Sequence, residues 1–205
     1  MLQADRIDFE PAKVYKQKGP TCSVHAFFTI LAEHVQNKFG IDVEFDMYEV
    51  FERMEKERKL PGNRKSRYSW LMWTGVYRGY TTLNGEVVYI KGFGRLYKNT
   101  PATYMKKLQL HGPILARLKM YENVDLSPKG DTIEVPDDLG DPTGSNHAIA
   151  MRGFDNTKDE NKNPKEKYGL HNSWGKNKSV KNIPMEGFHR ICIGGYSIYD
   201  VTIEV

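Results

Sequence analysis

Three short segments hold groups that can do chemistry together: a thiol in Gln17-Lys18-Gly19-Pro20-Thr21-Cys22, an imidazole in Asn146-His147-Ala148 and a carboxamide in His171-Asn172-Ser173-Trp174-Gly175. A neutral thiol is a poor nucleophile. It becomes a good one when a base takes its proton and a third group holds that base in the right tautomer. Cys22, His147 and Asn172 can fill those three roles, which is the constellation of a hydrolase that works through a thioester. The rival base is His25, one helical turn after Cys22 but with no orienting partner in view. Cys192 alternates with Ile191 and Ile193 and reads as strand core. The six histidines and two cysteines show no paired spacing of the zinc kind, so no metal and no cofactor is expected.

The elements that must position these groups are legible as periodicities. From Val24 the apolar residues recur at Phe27, Phe28, Leu31, Val35 and Phe39, the stripe of a helix that Gly40 stops, and this places Cys22 at a helix N-terminus. The unpaired N–H groups and the positive dipole end found there favour a thiolate. A second helix is predicted from Asp46, with Glu49 as capping partner, burying Met47, Val50, Phe51 and Met54. A third, rich in aromatics, is predicted around 69–80 and stops near Gly79. Thr100-Pro101 opens a fourth that carries Tyr104, Met105 and Leu108 and closes at Gly112. Beyond it the pattern alternates: Ile114, Ala116, Leu118 and Met120; then His147, Ile149, Met151 and Gly153; finally Tyr199, Val201, Ile203 and Val205. A helical half bringing the thiol and a strand half bringing His147 and Asn172 would meet at a cleft.

Several segments resemble the papain-like cysteine peptidases. Asn146-His147-Ala148-Ile149-Ala150-Met151-Arg152-Gly153-Phe154 is similar to that family's histidine strand, and Tyr168-Gly169-Leu170-His171-Asn172-Ser173-Trp174-Gly175 to its Asn-Ser-Trp-Gly segment. Gly112-Pro113-Ile114-Leu115-Ala116 is similar to its Gly-Pro strand, and Gly187-Phe188-His189-Arg190-Ile191 to the Gly-Tyr-x-Arg-Ile strand that follows. The separations of about 125 and 150 residues from Cys22 to His147 and Asn172 also suit the family. The resemblance implies an α+β, two-lobed fold in one catalytic domain over 1–205, with a mainly helical lobe over about 14–110 and a mainly β lobe over 112–205. It also implies that Gln17 helps form the oxyanion hole, that Trp174 shields the His147–Asn172 hydrogen bond, and that Ala148 and Arg117 or Ala116 lie near the main specificity pocket.

The chain departs from the family at the cysteine. Four residues separate Gln17 from Cys22 where five are usual, Ser23 replaces a tryptophan, and Gly62 alone stands where a Gly-Gly pair would bind the substrate backbone. Substrate binding is therefore expected to differ even where the chemistry does not.

Composition is that of an ordinary globular chain: 205 residues, 39% hydrophobic, 27% charged, net charge +4. No nucleic-acid module and no run of about 18 apolar residues is visible, so neither nucleic acid nor a membrane is an expected partner. With two cysteines and no signal peptide the expected location is cytoplasmic. With 21 residues before Cys22, an inhibitory pro-segment is not expected, and activity is expected to be controlled by other means. Glu122 to Asp141 is acidic and, with 155–167, reads as surface loop, while Arg53 to Arg67 holds seven bases. The expected partner is a polypeptide substrate, with acidic side chains favoured by Arg117 and that basic run; the oligomeric state is open. The expected function is a cysteine endopeptidase. The alternatives are an acyl transferase, deamidase or isopeptidase using the same triad, or a binding protein that keeps the fold without turnover.

Overall fold

The computed structural model describes residues 4–8, 21–60, 66–97, 100–163, 165–171 and 180–205. Helix α1 (Cys22–Phe39) carries the predicted stripe, with Val24, Phe27, Phe28, Leu31 and Val35 all buried. Burial goes beyond that stripe: every residue from Ser23 to Val35 is buried, as in a helix at the centre of a core rather than on its surface. Gly40 ends it in a left-handed conformation (φ 69°), its N–H reaching the Gln36 carbonyl at 2.8 Å.

Helix α2 (Met47–Arg58) starts as expected, because the Asp46 carboxylate accepts the N–H groups of Tyr48 and Glu49 at 3.1 and 2.9 Å. Helix α3 (Arg67–Tyr77) begins two residues earlier than its periodicity suggests, since Ser66 caps it by accepting the Ser69 N–H. Two carboxylates clasp α2 to α3. Glu55 accepts from Arg67 Nε at 2.8 Å and from Arg58 at 3.0 Å, while Glu57 accepts from Trp70 Nε1 at 3.0 Å and from Arg78 at 2.8 Å. Arg53 lies over the Trp70 ring at 5.6 Å. Two of the seven bases in that run, Arg53 and Arg67, are thus engaged in joining the two helices.

The strands are β1 (Arg6–Asp8), β2 (Tyr80–Thr81), β3 (Val87–Leu96), β4 (Ile114–Tyr121), β5 (Pro142–Asp155), β6 (Lys167–His171), β7 (Val180–Pro184) and β8 (Cys192–Glu204); α4 (Pro101–His111) precedes β4 and α5 (Met185–Ile191) precedes β8. Among the described residues they form one antiparallel sheet in the order β2-β3-β8-β4-β5-β6-β7. β1 continues the β4 side of β5, pairing Ile7 with Phe154 just beyond the Ile114–Met151 pair. Because successive side chains point to opposite faces, the sheet has two cores. Leu115, Ala148, Ala150 and Ile198 face α1, α2 and α3. Ala116, Leu118, Ile149 and Met151 face the other way, with Tyr104 and Leu108 of α4 and Phe188 of α5.

Three expectations need correction. Gly187 to Ile191 is not a strand. Met185, Phe188 and Ile191, spaced by three, bury one face of α5 in the second core, and the strand that pairs with β6 is β7. Nor do Tyr199, Val201 and Ile203 share a face: the β3–β8 register slips between Ile90 and Phe93, and this bulge turns Tyr199 outward, 44% exposed, while Val201 stays buried. Finally, 122–141 is not only surface, since Val124, Leu126 and Ile133 are inserted into the second core. Cys192 is buried, within 3.2 Å of the Tyr104 hydroxyl. Among the described residues no helix is long and apolar enough to cross a membrane.

Candidate active site

Cys22 is the first residue of α1 and sits half-buried at the rim of the helix-side core. The Thr21 side chain makes no capping bond and the first turn holds no acid, so nothing in that turn neutralises the positive end of the helix. Tyr68 lies in the first turn of α3. Its hydroxyl is pushed up to about 12, first by burial and then by the nearness of Cys22, with Arg117 acting against both. The Arg117 guanidinium stands 4.8 Å over the Tyr68 ring. Arg117 in turn pairs across β4 and β5 with Ala148, and Leu118 pairs with His147. Tyr68, Arg117 and Ala148 are thus neighbours in succession, and the last of them adjoins His147 in the chain. His147 is fully buried and Ala148 nearly so.

Arg117 makes no ion pair with the acidic 122–141 loop among the described residues; its partner is Tyr68. Gln17, Asn172 and Trp174 lie outside the described residues. The strand that leads into Asn172 is nevertheless anchored. His171, its predecessor, is buried, and its Nδ1 is 3.5 Å from the Glu33 carboxylate of α1, itself fully buried. His25 is buried with its ring edge towards Tyr48, 6.1 Å between centroids. Burial lowers its pKa to about 4, and among the described residues neither ring nitrogen has a hydrogen-bond partner. Such an imidazole is neutral at pH 7. Among the described residues no group of three or more His, Cys, Asp and Glu could hold a metal ion.

Sequence reasoning missed Glu33, Tyr68 and His171. A signal existed for Glu33, an acid within a stretch whose neighbours are buried on all sides. None existed for Tyr68, whose part depends on a strand about 50 residues away.

The sequence matches the family profile described as papain family cysteine protease over residues 34–202, a span that includes His147 and Asn172 and begins beyond Cys22. The chain belongs to this family and is a cysteine peptidase with its α+β, two-lobed fold. No curated protein sequence matches the chain. Among solved structures it is similar to xylellain, a cysteine protease from Xylella fastidiosa, at 15% identity and a TM-score of 0.71, covering 98% of this chain and 88% of that one. It is similar to a cysteine protease of Carica candamarcensis in complex with E-64, at 13% identity and a TM-score of 0.63, covering 96% and 99%. A third likeness is to the cysteine protease and lectin-like domains of a surface-layer-associated protein of Clostridium difficile, at 11% identity and a TM-score of 0.70. It covers this whole chain and 53% of that one.

Proposed function

We propose that the chain is an endopeptidase in which Cys22 is the nucleophile, His147 the base and Asn172 the group that orients His147. The observation that carries the reading is the position of Cys22, half-buried at the first residue of α1, a helix whose first turn holds no acid. In the reaction, His147 takes the Cys22 proton, and the thiolate attacks the carbonyl carbon of a peptide bond. The Cys22 N–H and the Gln17 carboxamide donate to the oxyanion, a contribution of about 10²–10³ in rate per donor. The His147 imidazolium protonates the departing amine, leaving a thioester on Cys22. A water that gives its proton to His147 then attacks the thioester and releases the acid.

The test is labelling of Cys22 by an epoxide such as E-64, followed by cleavage of a mixed peptide library, with Cys22→Ala and His147→Ala as controls. Labelling and cleavage that both vanish in the two variants are expected. Labelling that persists unchanged in His147→Ala removes His147 from the mechanism. Labelling without cleavage points instead to transfer, deamidation or isopeptide chemistry, and no labelling points to a binding protein.

Arg117 is the proposed specificity residue, with Ala148 beside it and Trp174 closing the site. Its guanidinium stands over Tyr68 and makes no ion pair among the described residues, so an acidic side chain of the substrate can supply a counter-charge. Cleavage-site profiling is expected to show Asp or Glu at the second position before the cut, and the preference should disappear in Arg117→Ala. An aliphatic preference that survives the substitution would exclude this role.

A further inference from the structure

Helix α5, the start of α4 and the residues just before β6 enclose a cavity of about 490 Å³, a size that takes a drug-sized molecule. Its apolar lining comes from Pro101 and Met105 of α4 and from Met185, the buried first residue of α5. His189 lines it as well. That ring is fixed in place, with Nε2 3.0 Å from the Tyr168 hydroxyl and the ring edge-on to Tyr104 at 5.2 Å. The cavity lies far from the thiol in the fold, because Met185 belongs to the second core and Cys22 to the rim of the first, on the other face of the sheet.

The charges around this cavity do not balance. Glu166 and Glu186 both line it and are exposed, and neither makes an ion pair among the described residues. One hydrogen bond brings them to the same mouth: the Met185 N–H donates to the Glu166 carbonyl at 2.7 Å, and Glu186 follows Met185 in the chain. The lysines on either side of Glu166, Lys165 and Lys167, act on Asp155. Arg190 lines the cavity but its guanidinium is drawn off. It donates to the Asp137 carbonyl at 2.6 Å and the Val135 carbonyl at 3.4 Å, and it stands 3.5 Å from the Asp137 carboxylate.

We propose that this cavity binds a small organic cation with an apolar ring, an arylalkylamine in chemical class. The ring lies against Pro101, Met105 and Met185, where the two thioethers make favourable contacts with an aromatic system. The ammonium stays at the mouth and meets Glu166 and Glu186. Placed so, the charge keeps part of its water while the ring loses its own, which is the inexpensive orientation for such a molecule. A neutral ring forfeits the ionic contacts, and an aryl carboxylate is repelled by both acids. The site goes beyond the peptidase reading and holds whether or not Cys22 is the nucleophile.

The experiment titrates tryptamine into the full chain carrying ¹³C-methyl methionine. Eight methionines report on the molecule, and Met105→Leu and Met185→Leu assign the two that matter. Saturable shifts confined to Met105 and Met185 are expected, with a Kd on the order of 1 mM. In Glu166→Gln/Glu186→Gln, which alters only exposed side chains and should leave the thermal midpoint unchanged, binding should weaken about fivefold. Tryptophol, the alcohol of the same shape, should bind the unaltered chain as weakly as tryptamine binds the double variant. Equal affinity of the amine and the alcohol, or of the two proteins for tryptamine, overturns the proposal. So do shifts at other methionines with Met105 and Met185 silent.

Two further outcomes are decisive. Tighter binding of indole-3-propionate than of tryptamine would make Arg190 the recognising charge and remove the cation. Tryptamine binding is expected to persist in Cys22→Ala and after labelling with E-64. Its loss in either would put the amine in the cleft and overturn this site, whereas a failure of E-64 to label Cys22 would count against the peptidase reading alone.

Discussion

Two buried polar side chains carry predictions of opposite kinds. Glu33 and His171 meet in the interior, 2% and 0% of their side chains being exposed to solvent for His171 and Glu33 respectively. Removing Glu33 takes a hydrogen-bond partner from buried His171, so Glu33→Ala should lower stability by about 1–3 kcal/mol. Glu33→Gln, which retains size and an acceptor, should cost less, and urea melts of the two variants check the order. His34 acts through pH. Burial lowers its pKa from 6.5 to about 4, partly offset by the Pro113 carbonyl, 3.3 Å from Nε2, with His111 and Asp200 pulling in opposite directions. The unfolded chain therefore binds a proton below about 6.5 that the folded chain refuses until about 4. Stability is complete above pH 6.5 and declines as pH falls towards 4, by up to on the order of 3 kcal/mol. His25, lowered to about 4 by burial, acts in the same direction. Urea midpoints at pH 7.5 and 4.5 should differ less in His34→Gln than in the wild type; an equal difference would remove His34 from the acid response.

At the scale of elements, local capping and long-range clasping play separate parts. Asp46→Ala removes the acceptor for two N–H groups at the start of α2 and should cost about 1 kcal/mol, read as a small shift in thermal midpoint with no loss of peptide cleavage. The β8 segment shows how one slip in register redirects a strand. Beyond the irregularity opposite Gly92 the outward and inward positions exchange, so Tyr199 leaves the core and lies under Lys107 and His111 instead. Gly195 marks another tight place. A methyl there would press on the Leu115 carbonyl oxygen of the neighbouring strand, which explains a residue without a side chain at the centre of the sheet.

The whole molecule is a sheet shared by two cores. β4, β5 and β8 contribute side chains to both, so neither core can open without disturbing the other. Phe28, buried among Phe27, Phe45 and Tyr80, and Phe188, buried against Tyr104 and Tyr168, lie on opposite faces. Truncating either to Ala should cost about 3–5 kcal/mol. Both variants should still unfold in a single urea transition, with coincident far-ultraviolet dichroism and tryptophan fluorescence; two separated transitions in either would mean that the cores are independent.

What the sequence determined by itself was local or carried by family resemblance. The α1 stripe, the Asp46 cap, the proline start and glycine stop of α4 and the alternation of β4 and β5 depend on residues a few positions apart, whose preferences act before any tertiary contact forms. The segments around His147 and Asn172 were sufficient to point to the papain family. Only the tertiary structure decided that Gly187 to Ile191 coils rather than extends, because the second core beneath it accepts a face spaced by three. It alone brought Tyr68 to Arg117, Glu33 to His171 and Tyr68 to Tyr196. These contacts join positions tens to more than a hundred residues apart, and no period along the chain encodes them. They arise from how two cores pack on a twisted sheet, a property of all its side chains together.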